Sequence, residues 1–471
     1  MRFILDTAVA QAAALNRTAV LPSFVYARAC ELPIEVCASF LTMVNRGDAL
    51  HKDEWRKLPL EQQMGWKLPL GLMIDLPKLR QRHNVLLVSE YLRLHGLGPD
   101  LESSTGKWDR EAYHSGPQHP SLYILEGEYS DPAGQLLVDT LPKDSIRRNS
   151  VNSKTKSKLE QAGKMHEGYR LPWDEVQLLL GKRKSDDQLG AELEELGWVV
   201  VHSFVTLPPQ DLFKIPVYPI QQAAPRAKLR SWAEHYGEVQ ENVFLYAGET
   251  HLSRKPGGMW FTTVTARDNF ARLVLHDMAY LEQVQELSRI LEARMRMHVN
   301  GRMFFAAHMR RGDFTTLGWS LEPSLDQHLE SLRSRFTAGL KILRQVRRGN
   351  FNKLYIYNIP DVEPDGSLLQ RELPLRGDPY FLMTDARASA DLQYLRDNGA
   401  VLVQDLLLPE DRKMFGWPIV FTDVLALVEQ AMAARSDYFV GQAFSSVAGG
   451  VVGLRAGRGM DPRTATLIGL N

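Results

Sequence analysis

Only two cysteines occur in 471 residues, and the charge balance is zero, with 56 basic against 56 acidic side chains. Two cysteines exclude a disulfide scaffold. Cys30 and Cys37 are close enough in sequence for one short-loop disulfide, and their pattern is equally that of two small buried thiols. The balanced charge argues against a nucleic-acid partner, which calls for a basic surplus, yet it permits a local arginine cluster on one small anion. No apolar run approaches the roughly 20 residues of a membrane helix, and no repeat of fixed period is visible.

What is present is ordinary globular composition, 44% hydrophobic and 24% charged. A chain of this length exceeds one comfortable core, since single cores stop growing at roughly 250–300 residues. The turn-rich stretch Arg254-Lys255-Pro256-Gly257-Gly258 marks a boundary between domains 1–255 and 256–471. Residues 3–15 fit an amphipathic helix with Phe3, Ile4, Val9, Ala12 and Leu15 on one stripe. No residue suited to N-capping precedes it. Asp6 interrupts the run and no small-residue cleavage site follows a basic lead-in, so it does not read as a secretory signal. Residues 17–22 read as a strand closed by Pro22, and a helix feeding a strand at the first residue suggests an earlier strand and loop. Residues 100–170 are poor in apolar side chains and rich in Asp, Gly, Pro and Ser. They read as a surface insertion with a solvated basic face around Arg147, Arg148, Lys154, Lys156 and Lys158. Residues 85–88, 199–201 and 243–246 are short apolar runs of strand type.

The last third is the clearest. Tyr380–Thr384 reads as a strand, 388–397 as a helix stopped by Asn398-Gly399, and Ala400–Val403 as the next strand. Residues 420–435 form an amphipathic helix, Tyr438–Gly441 a third strand, and Ser445-Ser446 open a further helix through Arg455. This alternation implies parallel strands with right-handed crossovers, a Rossmann-like half whose ligands bind beyond the carboxyl ends of the strands.

Three groups fall at such ends. The run 303–307 reads as a buried strand followed by His308, Arg310, Arg311 and Asp313. A guanidinium holds a phosphate through two parallel hydrogen bonds and never loses its charge, which suits a diphosphate leaving group. Local pattern alone also allows a salt-bridged turn here, with His308 a satisfied core residue. Asp385, directly after Thr384, is placed either to accept the paired N–H groups of guanine or to cap a helix. Ser445 and Ser446 combine hydroxyls with free helix N–H groups, a phosphate cradle or a plain N-cap. Arg-Gly-Asp triplets at 46–48, 311–313 and 376–378 are scattered enough to be background.

Taken in order and spacing, the histidine–arginine group, the strand ending in Thr384-Asp385, and the glycine followed by Ser445-Ser446 resemble the protein O-fucosyltransferase family. Residues 380–455 look most like its fungal members, and Leu15 to Pro22 resembles the segment after the family's first glycine-asparagine loop. That loop would precede Met1, so the resemblance describes an N-terminally truncated member. It implies a GT-B fold, α/β with two Rossmann-like domains facing each other across a cleft. It also implies inverting, metal-independent transfer of fucose from GDP-fucose to a hydroxyl of a protein or glycan acceptor. Arg310 would contact the β-phosphate and stabilise departing GDP as the catalytic residue. His308 and Asp385 would hold the guanosine end, Ser445 and Ser446 would bind phosphate oxygens, and Arg311 and Asp313 would brace the loop. The family works in the lumen of the endoplasmic reticulum or Golgi, uses no metal, and needs no cofactor besides its donor. Val447-Ala448 stands where animal members carry an aromatic residue. Asp48, Glu249 and Asp423 are the carboxylates open to a general-base role. The alternative reading is a non-catalytic nucleotide-sugar or glycan-binding protein on the same fold.

Overall fold

The computed structural model describes residues 2–49, 56–104, 107–108, 120–125, 135–142, 153–166, 169–205, 218–246, 260–312, 322–348, 361–443 and 445–468. The fold is mixed α/β with parallel sheets. Its C-terminal half is organised by five strands, β1 (Phe305–Met309), β2 (Tyr380–Thr384), β3 (Ala400–Val401), β4 (Tyr438–Gln442) and β5 (Ala465–Ile468). All pairings are parallel, in the lateral order β3-β2-β1-β4-β5. The chain builds outward from β1 to β3, then crosses to β4 on the other side of β1. The crevice between β1 and β4 is therefore the point where strand order reverses.

Parallel sheets need cover on both faces, and the strands are correspondingly apolar, with all five residues of β4 buried. Alternation along each strand divides them between two clusters. Ala306, Phe381, Met383 and Phe439 pack with helices α2 (Glu282–His298) and α4 (Thr422–Ala433). Ala307, Met309, Leu382, Tyr438 and Val440 pack with α3 (Leu325–Arg348). Helix α2 commits Val284, Leu287, Leu291 and Met295 to the core, a single stripe at helical spacing. The last helix of the layer, α5 (Ser446–Gly457), starts after three intervening residues from the end of β4 and buries Ala448, Val451 and Val452.

The N-terminal half distributes its strands over several small sheets. Ala19–Leu21 pairs in parallel with Val85–Leu87, and Phe24–Ala27 and Met43–Asn45 flank Met64–Pro69 in an antiparallel sheet. Leu171–Pro172, Tyr218–Pro225 and Trp198–Val205 form a second antiparallel sheet. The expected surface insertion at 100–170 needs correcting. Leu122–Leu125 and Leu136–Val138 pair in parallel with Val243–Tyr246 and Leu229–Ser231, and Leu136, Leu137 and Val138 are buried. These strands are only three or four residues long and find their partners about 100 residues later, so the local apolar content is low although these two stretches belong to the sheets. Lys154, Lys156 and Lys158 do lie exposed on a helix, Ser153–Met165.

The first helix, α1 (Arg2–Ala14), lies where expected. Its Leu5 and Val9, with Leu21, Val25 and Leu68, belong to the same apolar cluster as Leu287, Phe421 and Val428. The two halves thus share a core. The proposed boundary at 254–258 lies outside the described residues, and just beyond it Trp260 and Phe261 bridge back to Val138 and His202. Cys30 and Cys37 are joined as a disulfide.

Two strands depart from their expected ends for local reasons. The amides of Met303 and Phe304 are taken by the Glu372 carbonyl and by Asp437 Oδ2, so β1 begins at Phe305 and carries His308 inside it. The amide of Leu402 donates to the Asp405 carboxylate at 2.9 Å, which turns the chain after Val401 into the short helix Val403–Leu406.

Candidate functional site

Strands β1, β2 and β4 are neighbours and parallel, so the residues following them meet at one edge. Met309 is in register with Thr384, which sets Arg310 and Asp385 side by side. The Asp385 carboxylate accepts the backbone N–H of Arg311 (2.8 Å) through Oδ1 and that of Gly312 (2.9 Å) through Oδ2. Its Oδ2 also lies 3.3 Å from Arg310 Nε. A Cβ at position 312 would stand 2.6 Å from Asp385 Oδ2, so only glycine permits this closure. Both Asp385 oxygens therefore support the arginine loop, and its geometry is that of a brace, whereas the resemblance assigned it to guanine.

Arg311 turns away from the edge. Its guanidinium donates to the carbonyls of Glu322 (3.2 Å), Pro323 (3.2 Å) and Ser324 (3.0 Å), the bracing role expected of it. Asp313 lies outside the described residues. Arg310 is half-buried, with its own amide donating to Gln442 Oε1 at 3.2 Å. That bond ties the end of β1 to the end of β4 across the reversal point. Gln442 was overlooked in the sequence, although a polar side chain closing an otherwise apolar strand is a visible signal.

Ser445 is buried and starts α5. Its N–H donates to the Gln442 carbonyl (3.0 Å) and its carbonyl accepts from Gly449 (3.0 Å). Its hydroxyl makes no capping bond to the helix. Ser446 is the exposed first residue of α5. The first-turn amides of a helix have no intrahelical acceptors, and they carry the positive end of the helix dipole. Position 310 and positions 445–446 thus flank one crevice, the place where an anion is held in sheets of this order.

His308 is 5% exposed, and its Nδ1 has no hydrogen-bond partner among the described residues. Burial pushes its pKa down to about 3, and the charges of Arg310 and His328 add to the shift. The ring is therefore neutral at physiological pH and offers one donor and one acceptor. His328 on α3 is a neighbour of His308 that the sequence did not reveal. It is also buried, its pKa lowered mainly by desolvation, with Nδ1 3.8 Å from Glu322. Nothing in the local sequence of α3 signals it.

Of the three carboxylates considered as bases, Asp48 is exposed and lies 3.4 Å from Arg56, and Glu249 lies outside the described residues. Asp423 sits in the first turn of α4, accepts the Arg28 amide at 2.9 Å, and has its pKa raised by burial.

No family model matches the chain, and no curated protein does. Solved structures that resemble it include POFUT1 in complex with GDP, at 12% identity and TM-score 0.35 over 100% of this chain and 94% of that one. Another is POFUT1 in complex with GDP-fucose, at 13% identity and TM-score 0.35 with the same coverage. At such values the likeness assigns no residue role, and the site stands on its own geometry. No helix among the described residues is long and apolar enough to cross a membrane.

Proposed function

We propose that this chain is an inverting, metal-independent glycosyltransferase of the protein O-fucosyltransferase type, moving fucose from GDP-fucose to a hydroxyl of a protein or glycan acceptor. The observation that carries the reading is the union of Arg310 with the N-terminus of α5 at the strand-order reversal between β1 and β4. In this reading Arg310 and the first-turn amides of α5, with Ser445 and Ser446, receive the diphosphate. Charge grows on that diphosphate as the sugar departs. Fixed donors placed there stabilise the transition state more than the ground state, the larger part of what an enzyme of this kind can supply. A guanidinium performs the neutralising role that a divalent metal plays elsewhere. Asp385 and Gln442 hold Arg310 in place, and neutral His308 pairs with the nucleoside. The acceptor oxygen attacks the sugar carbon from the face opposite GDP. The Cys30–Cys37 disulfide suits an oxidising compartment, in keeping with a lumenal site in the secretory pathway.

A thermal-shift series with GDP, UDP and ATP, each with and without manganese, tests the nucleotide. A ligand at one hundred times its Kd adds about 2.7 kcal/mol to the folded state. The expected result is stabilisation by GDP alone, unchanged by the metal. Equal stabilisation by ATP or UDP would remove the guanosine assignment. Stabilisation by GDP without hydrolysis or transfer of GDP-fucose would leave a binding protein in place of an enzyme.

A further inference from the structure

A basic surface lies at the end of α3 remote from the site. Strands β1 and β2 are parallel and α3 joins them, so the helix returns across the sheet. It sets out beside the arginine loop, where the Arg311 guanidinium meets the Ser324 carbonyl (3.0 Å). At Phe336 it has reached the foot of β1, and that ring stacks on Phe305 with centroids 4.7 Å apart. At Gly339 it passes the foot of β4 so closely that a Cβ would stand 2.6 Å from the Tyr438 ring. The last two turns, Lys341 to Arg348, run on past both contacts.

From Ser331 to Arg348 this helix carries six basic residues and no acidic one, on a chain whose charges balance. Arg333, the first of them, donates to Asn398 Oδ1 (2.6 Å) and lies 3.9 Å from Glu330. Lys341, Arg344, Arg347 and Arg348 are all exposed, and none of the four side chains forms an ion pair or hydrogen bond among the described residues. The turn Pro462–Thr464 packs on α3, and its capping residue Asp461 is taken by Arg463 (2.9 Å). Lys341, Arg344 and Arg348 stand three and four positions apart, so they share one face, where like charges repel. The helix dipole rewards cations in the last turn, which accounts for Arg347 and Arg348 and leaves Lys341 unexplained. The outward positions between them are Thr337, Ala338 and Gln345, and no large apolar side chain of α3 is exposed.

We infer that Lys341, Arg344, Arg347 and Arg348 form a docking surface for a linear sulfated polysaccharide lying along the end of α3. A sulfate ester stays ionised at every physiological pH, and a guanidinium meets its oxygens with paired hydrogen bonds. A protein partner calls for an apolar or aromatic centre, and a single-stranded nucleic acid for aromatic rings on which bases stack; this face has neither. The Cys30–Cys37 disulfide suits an oxidising compartment, where the linear polyanions are sulfated polysaccharides rather than nucleic acids. The surface and the proposed nucleotide crevice stand at opposite edges of one sheet, so both can be occupied at once. The inference does not rest on the transferase reading.

The test uses the full chain and a labelled heparin oligosaccharide, with its desulfated counterpart, polyglutamate and single-stranded DNA of matched charge as comparisons. The sulfated chain is expected to bind at least about tenfold more tightly than each of them, a preference worth about 1.4 kcal/mol. A polyanion sheds roughly 0.7–0.9 counterion for each cation that binds it, so the logarithm of affinity should fall with that of salt at a slope of about 3. The triple variant Lys341→Gln, Arg344→Gln and Arg348→Gln keeps good helix formers at exposed positions. It should lower the slope by about 2–3 and keep the melting temperature of the unaltered chain. Lys154→Gln, Lys156→Gln and Lys158→Gln, on the other exposed basic helix, should change neither affinity nor slope. Equal binding of the desulfated chain, polyglutamate or DNA overturns the inference, as does an equal loss in the two triple variants, which would mean diffuse attraction. A slope near zero in the unaltered chain overturns it whatever the variants do.

Discussion

Each half of the molecule buries an aspartate, and the two are treated in opposite ways. Asp437, at the foot of β4, is fully buried. It accepts from Arg296 (3.0 Å) and the Phe304 amide (2.9 Å) through Oδ2, and from Arg371 (3.1 Å) through Oδ1. Asp6, on α1, is 2% exposed, and neither oxygen has a hydrogen-bond partner among the described residues. Burial pushes its pKa up to about 7, with Arg2 opposing the shift. The C-terminal half completes its polar network at the end of the sheet opposite the site. The N-terminal half keeps a carboxyl whose ionisation works against folding. A buried ion pair seldom adds net stability, but breaking one exposes the full desolvation cost of the charges left behind.

Substitution separates the two cases. Asp437→Ala leaves Arg296 and Arg371 without their shared carboxylate, and a loss of about 3–5 kcal/mol is expected in denaturant unfolding. Asp6→Asn should do the reverse, in a way that depends on pH. The folded pKa lies above the unfolded one, so the carboxyl's contribution is intact below about pH 4 and is lost as pH rises towards 7. The variant should match the parent at pH 4 and exceed it at pH 8. The ceiling is on the order of 4 kcal/mol, at about 1.4 kcal/mol per pKa unit. Parallel stability curves across that range would mean that Asp6 finds a partner in solution.

The same contrast explains what could be read from the sequence. Tyr380–Thr384 and Tyr438–Gln442 lie in the middle of a sheet covered on both faces, so each appears as an apolar run closed by one polar residue. Their order and the residues at their ends were legible, including Arg310, Asp385 and Ser445. Leu122–Leu125 and Leu136–Val138 are too short to stand out, and their partners are supplied by residues far along the chain. The detail of the site was hidden for a related reason. Asp385 spends its oxygens on backbone amides of another loop, and His328 reaches the site from a helix whose pattern shows only its apolar stripe. Side chains that act through tertiary contacts leave no local period.

At the site itself, the decisive comparison is between Arg310 and its neighbour Arg311. Arg310→Ala should lower turnover about a hundredfold or more, since one fixed donor on a developing charge is worth roughly 2.7–4 kcal/mol. Arg310→Lys should not restore it, because a point charge lacks the paired geometry. Arg311→Ala should lower thermal stability through the loss of three carbonyl contacts and affect turnover less. Steady-state kinetics with GDP-fucose distinguish the two, and an Arg310→Ala protein with unchanged turnover would remove the mechanism.

The finest comparison is between two serines at helix starts. Ser231, in the N-terminal half, accepts the Glu234 amide at 3.0 Å and caps the helix Trp232–Tyr236. Ser445 occupies the equivalent position before α5, and its hydroxyl caps nothing. Removing a working cap costs about 1 kcal/mol, so Ser231→Ala should destabilise by about that much and leave GDP affinity alone. Ser445→Ala should change stability by only a few tenths of a kcal/mol and weaken GDP several-fold, since a net hydrogen bond is worth about 0.5–1.5 kcal/mol. Calorimetric titration of GDP beside thermal unfolding of both variants reads the two effects separately. If Ser445→Ala instead costs a full cap and leaves GDP affinity unchanged, its hydroxyl serves the helix and the phosphate contact passes to the backbone amides alone.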